Sequence, residues 1–208
     1  MITLQSCDKT EVIPDADQVN FQEPIVGQEN YYIRYSGPCG ELSPSKDTLI
    51  LRIKAFDGAT LELEERFTPG SPSFNQLPYI YSALWSKEML TIDALSRQFS
   101  QLFFFYGSDT LKLKQSASTT MHQDNCIVWD GQTDFTGDKI GIVPVFSVAD
   151  NDYEDKKIVS CVPIIQDLDA YLLYDQFNIY SSFTSAAGGW EPMEDPFTNA
   201  YALIDINQ

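Results

Sequence analysis

The stretch Asp47-Thr48-Leu49-Ile50-Leu51-Arg52-Ile53-Lys54-Ala55-Phe56-Asp57-Gly58-Ala59-Thr60-Leu61-Glu62-Leu63-Glu64-Glu65-Arg66-Phe67-Thr68-Pro69-Gly70 decides the fold class. Leu49, Leu51 and Ile53 alternate with Arg52 and Lys54; beyond Asp57-Gly58, Leu61, Leu63 and Phe67 stand against Glu62 and Glu64. Alternation of period two marks two strands, each with one face on a core, and Asp-Gly between them marks a hairpin. Register selects the turn. A two-residue loop sets Ile53 against Glu62. A three-residue loop, Phe56-Asp57-Gly58 with Gly58 left-handed in a bulge, sets Ile53 against Leu61, Leu51 against Leu63 and Arg52 against Glu62. A one-residue slip would turn every apolar side chain to the wrong face, so the second register is expected.

The same alternation recurs along the chain, broken by turn residues every 8–15 positions, as in a sandwich or barrel. Tyr31 to Tyr35, Gln101 to Tyr106 turning through Gly107-Ser108-Asp109 into Thr110 to Lys114, Asn125 to Trp129, Lys139 to Val148, Lys156 to Ile165, Ala170 to Tyr174, Phe177 to Phe183 and Asn199 to Ile206 read as strands. Pro144 cannot donate to a ladder and places its strand at an edge or bulge. Residues 84–98 allow two readings. Trp85, Met89, Ile92, Leu95, Phe99 and Leu102 make an amphipathic stripe at helical spacing. Alternation over Pro78 to Trp85, with a short run Met89 to Asp93, makes strand and loop. The expected architecture is one all-β domain over residues 31–208, an antiparallel β-sandwich, with the helix at 84–98 left open.

Composition narrows the function. The 208 residues carry 13 Lys and Arg against 30 Asp and Glu, a net charge of −17, which repels nucleic acid and anionic lipid headgroups. No apolar run approaches the ~20 residues of a membrane helix. The lone histidine, His122, lies in a polar linker without G-x-S-x-G context, so a serine or cysteine triad has nothing to build on. Many acids leave a paired-carboxylate glycoside hydrolase open as a minor alternative.

The amino terminus carries the most specific motif. Leu4-Gln5-Ser6-Cys7 resembles the lipobox of bacterial lipoproteins, with Cys7 as the lipidated residue, and Asp8-Lys9-Thr10-Glu11 resembles the export signal of Bacteroidota surface lipoproteins. Residues 1–6 are then the remnant of a signal peptide, and residues 7–30 an acidic, proline-interrupted tether. With Cys7 set aside, Cys39, Cys126 and Cys161 allow at most one disulfide. The segments "DTLILRIKAFDGATLELEERFTPG" and "LFFFYGSDTLKLK" are similar in style to small Bacteroidota lipoproteins with an immunoglobulin-like or related β-sandwich. That resemblance implies a lipid-anchored protein of the outer membrane that binds a glycan or an outer-membrane protein partner. A lipocalin-like barrel for a small apolar ligand is the alternative.

Two further groups are candidate sites. Trp190, beside Gly188-Gly189, either plugs the core or joins Tyr79, Tyr81 and Tyr180 in a platform for a sugar or peptide. Asp150, Asp152 and Glu154 supply oxygens at alternating positions as a calcium loop does, or form an acidic hairpin tip.

Overall fold

The computed structural model describes residues 21–38, 41–103, 110–117, 119–124, 127–129, 140–161, 168–176, 178–186 and 197–207. Among these there is no helix; there are fourteen strands. The amino-terminal six are β1 (Glu29–Pro38), β2 (Ser43–Phe56), β3 (Thr60–Phe67), β4 (Tyr79–Trp85), β5 (Met89–Ile92) and β6 (Leu111–Lys114). Short pieces follow, β7 (Thr119–Thr120), β8 (His122–Asp124) and β9 (Ile127–Trp129). The last five are β10 (Ile140–Val148), β11 (Asn151–Cys161), β12 (Leu168–Asp175), β13 (Asn178–Ala186) and β14 (Phe197–Asn207).

Twelve strands hydrogen-bond in one continuous order, β6-β5-β4-β3-β2-β1-β14-β13-β12-β11-β10-β7, and β8-β9 form a separate pair. The all-β class is therefore as the alternation predicts. The two separate sheets of a sandwich are not what the ladder shows, because β1 pairs with β2 on one side and β14 on the other, joining two antiparallel meanders edge to edge. Residues 84–98 are strand and loop: β4 ends at Trp85, β5 follows after a turn, and residues 94–99 form successive turns.

Two cores lie on opposite faces of the central strands. Ala170, Leu172 and Tyr174 of β12 pack in the first with Leu49, Leu61, Ile92 and Leu113. Tyr171 and Leu173, one position along each time, pack in the second with Phe146, Ile158 and Phe183. Neighbouring residues in a strand point to opposite faces, so the apolar run Ala170–Tyr174 is what burial on both sides demands. The first half of the sheet curls back over its middle. The Tyr174 hydroxyl donates to the Lys114 carbonyl at 2.6 Å and accepts from the Lys114 N–H at 3.1 Å, tying the β6 edge to β12 through a side chain.

The β2–β3 hairpin keeps apolar opposite apolar, but by a different register from the expected one. Ile53 pairs with Leu63, Phe56 with Leu61 and Leu49 with Phe67, while Arg52 faces Glu64. The cause is a bulge between Ile53 and Ala55 together with a tight turn. Asp57 N–H donates to the Thr60 carbonyl at 3.2 Å, and Asp57 Oδ1 accepts from Ala59 and Thr60 N–H groups. Gly58 is left-handed at φ +96°, where a side chain would be strained. Packing also starts earlier than residue 31. Phe21 is buried and its N–H donates to the Lys87 carbonyl at 2.7 Å, so residues 21–30 lie against the domain; residues 7–20 of the expected tether are outside the described residues.

Candidate functional site

A cleft of about 580 Å³ opens on the face of the first core, between β1–β3, β13–β14 and the loops at 76–79 and 98–101. Its floor is set by β3. Inward positions 61, 63, 65 and 67 carry Leu, Leu, Glu and Phe, all buried, so Glu65 holds a core position opposite Leu51. A carboxyl there is tolerated only with donors around it. Tyr81 Oη donates to Glu65 Oε1 at 2.8 Å and Ser100 Oγ to the same oxygen at 2.5 Å. The Gln101 N–H donates to Oε2 at 2.6 Å. Burial pushes the Glu65 carboxyl up from its ordinary value, and these donors pull it back only in part. Burial, and the Glu65 charge beside it, also raise the Tyr81 phenol.

Through those bonds Glu65 shapes the loop that forms one wall. Ser100 N–H donates to the Arg97 carbonyl at 2.9 Å, and Ser100 Oγ accepts from Phe103 N–H at 2.9 Å. The loop thus turns Gln98, Phe99 and Gln101 toward the cleft. Phe99 stays 64% exposed and meets Tyr79 edge to face at 5.8 Å. Tyr79 is stacked on Tyr81 at 5.4 Å and donates its hydroxyl to the Ser96 carbonyl at 2.6 Å, so its ring is held from below and behind. Across the cleft Tyr201 of β14 donates to Gln101 Oε1 at 3.3 Å, and its phenol is pushed up to about 12, mainly by burial. Leu77, at 91% exposure, is an apolar lip.

Of the residues predicted from sequence, Tyr79 lines this cleft and Tyr81 supports it from beneath through Glu65. Tyr180 is elsewhere. It packs against Tyr153 at 5.7 Å under the Lys156 ammonium at 4.6 Å and is not in the lining of this cleft. Cys7, Cys39, Cys126 and Trp190 lie outside the described residues, and His122 is exposed in β8. Asp150 and Asp152 belong to the β10–β11 hairpin. Asp152 accepts the Ser147 hydroxyl at 2.6 Å, and Glu154 is exposed further along β11. Among the described residues no three His, Cys, Asp or Glu side chains converge as a metal would need. Glu65, Phe99, Tyr201 and Arg34 are the site residues that the sequence reading misses. For Glu65 the signal was present, a charge at the inward phase of a strand.

Among the described residues, Glu65 is the one carboxylate in the lining of the cleft. What the arrangement offers is recognition: fixed aromatic rings beside the amides of Gln76, Gln98, Gln101 and Asn199. The chain matches no protein-family model, no curated protein and no solved structure.

Proposed function

We propose that the protein is a non-enzymatic binding module that takes a glycan in this cleft, carried on the bacterial cell envelope by a lipid at Cys7. The observation that carries the reading is the pairing of Tyr79, Phe99 and Tyr201 with four side-chain amides in one 580 Å³ concavity. A sugar ring presents C–H faces that stack on aromatics and hydroxyls that need both donors and acceptors, which amides supply together. The lipocalin-like alternative needs an enclosed chamber. Among the described residues, a cavity in the first core between Leu51, Ile53, Phe103 and Ile179 is about 20 Å³, the room of a water molecule.

The test is binding to a panel of immobilised oligosaccharides, with hits measured by calorimetry. Tyr79→Ala and Phe99→Ala should each weaken a hit by about tenfold or more, with folding checked by circular dichroism because Tyr79 also packs on Tyr81. A hit whose affinity neither substitution changes would place the glycan elsewhere on the molecule.

A further inference from the structure

We propose that the cleft selects saccharides bearing a carboxylate, docked against the Arg34 guanidinium; this rests on the glycan reading above and specifies its ligand class. Arg34 is on β1 with its side chain on the cleft face, in line with Tyr32 of the first core and opposite Tyr201 across the β1–β14 ladder. On the β2 side the ladder jumps from Ile33–Thr48 to Tyr35–Pro44, so Arg34 stands where the strands part. Its Nη2 donates to Asn199 Oδ1 at 2.9 Å, which orients the planar fork and leaves its other N–H groups to the cleft.

None of the ion pairs among the described residues includes Arg34. Arg66, the other arginine at the cleft, is neutralised by Glu29 at 2.9 Å and Glu64 at 3.5 Å. Asp47, near enough to be felt at Tyr201, has both carboxylate oxygens on Ser73. The Glu65 carboxyl, buried at the floor of the cleft, is held by the Tyr81, Ser100 and Gln101 donors. An anionic group beside Arg34 meets an oriented guanidinium fork that fits a carboxylate. The whole-molecule charge of −17 opposes a long polyanion, so the ligand is a glycan with an isolated acidic residue rather than a polyuronate.

The experiment uses pairs of immobilised oligosaccharides that differ only in carboxylate against hydroxymethyl at one residue, glucuronyl with glucosyl and galacturonyl with galactosyl, together with sialylated glycans and their carboxyl-reduced forms. The expected result is that the acidic member of a bound pair is held about tenfold or more tighter than its neutral twin. Arg34→Gln keeps a donor for Asn199 and should abolish that preference, so that the acidic and neutral members of a pair are held alike. Arg34→Lys, which keeps the charge without the fork, should retain part of it and serves if the glutamine variant does not fold. Equal binding within every pair, or a preference that survives Arg34→Gln, overturns this inference and leaves the glycan reading standing. Absence of binding to any saccharide removes both.

Discussion

Replacing Glu65 tests the link between the floor of the cleft and its wall. In Glu65→Ala, the buried Tyr81 Oη and Ser100 Oγ and the half-buried Gln101 N–H lose their acceptor. An orphaned buried donor costs about 1–3 kcal/mol, though the two hydroxyls can rotate toward other acceptors, and the lost carboxyl no longer has to be desolvated. The balance is a destabilisation of about 2–5 kcal/mol. For a chain of this length each kcal/mol lowers Tm by about 2–4 °C, so a fall of about 4–20 °C is expected in calorimetry. Glu65→Gln keeps the shape. With its carbonyl toward the Gln101 N–H and its amide toward the two hydroxyls, which also accept, it should recover most of the loss. Amide exchange provides the local readout, with Gln101 protection falling in the alanine variant and holding in the glutamine variant. If alanine costs less than about 1 kcal/mol, or glutamine costs as much as alanine, the carboxyl does not organise the loop and the reasoning fails.

The same carboxyl predicts a pH dependence. Because burial raises Glu65 above its ordinary 4.5, the folded state keeps the proton longer than the unfolded chain does. The stability this contributes is full below the unfolded pKa and is lost as pH rises through the folded one. The advantage of wild type over Glu65→Gln should therefore shrink as pH rises above about 4.5, by at most ~1.4 kcal/mol per pH unit, and a constant gap in urea titrations would refute it. Gly141 of β10 lies under Met121, and an added Cβ would meet that side chain and come within 2.9 Å of the Thr119 carbonyl. Gly141→Ala should cost about 1–3 kcal/mol by overpacking and loosen the β7–β10 pairing; an unchanged urea midpoint would count against the close approach. Tyr174→Phe removes the hydroxyl that both donates to and accepts from Lys114, and should cost about 1–2 kcal/mol while speeding exchange of the Lys114 amide. Unchanged exchange there would mean the β6 edge is held by packing alone.

Local signals carried far in this chain, and long-range ones did not. Asp57-Gly58 and the alternation around it locate the hairpin, because a left-handed glycine and a period of two are properties of neighbours. The bulge at Lys54 is absent from that reading, since it adjusts the strand to β1 and β3 on either side. The run Ala170–Tyr174 reads as a strand, but its burial on both faces depends on β12 lying mid-sheet, which only the β1–β14 pairing establishes. Tyr79 was visible as an aromatic in a strand. Phe99 fitted the helical stripe, and Tyr201 and Arg34 come from opposite ends of the chain, so nothing in their own surroundings joins them to a cleft.

The joining of β1 to β14 has a consequence for synthesis. Arg34 and Asn199, bonded across that seam, are 165 residues apart in the chain. A ribosome adding about 5–20 residues per second needs roughly 8–33 seconds to make the second after the first. Throughout that interval β1 has β2 beside it and a bare edge on its other side, where Tyr32 and Tyr35 await partners from strands not yet made. Each meander can form by local pairing as it emerges, while the seam, with the highest loop-closure cost, closes last. The nascent chain thus carries its open edge in what will become the centre of the sheet, and a chaperone acting on this protein has β1 to shield.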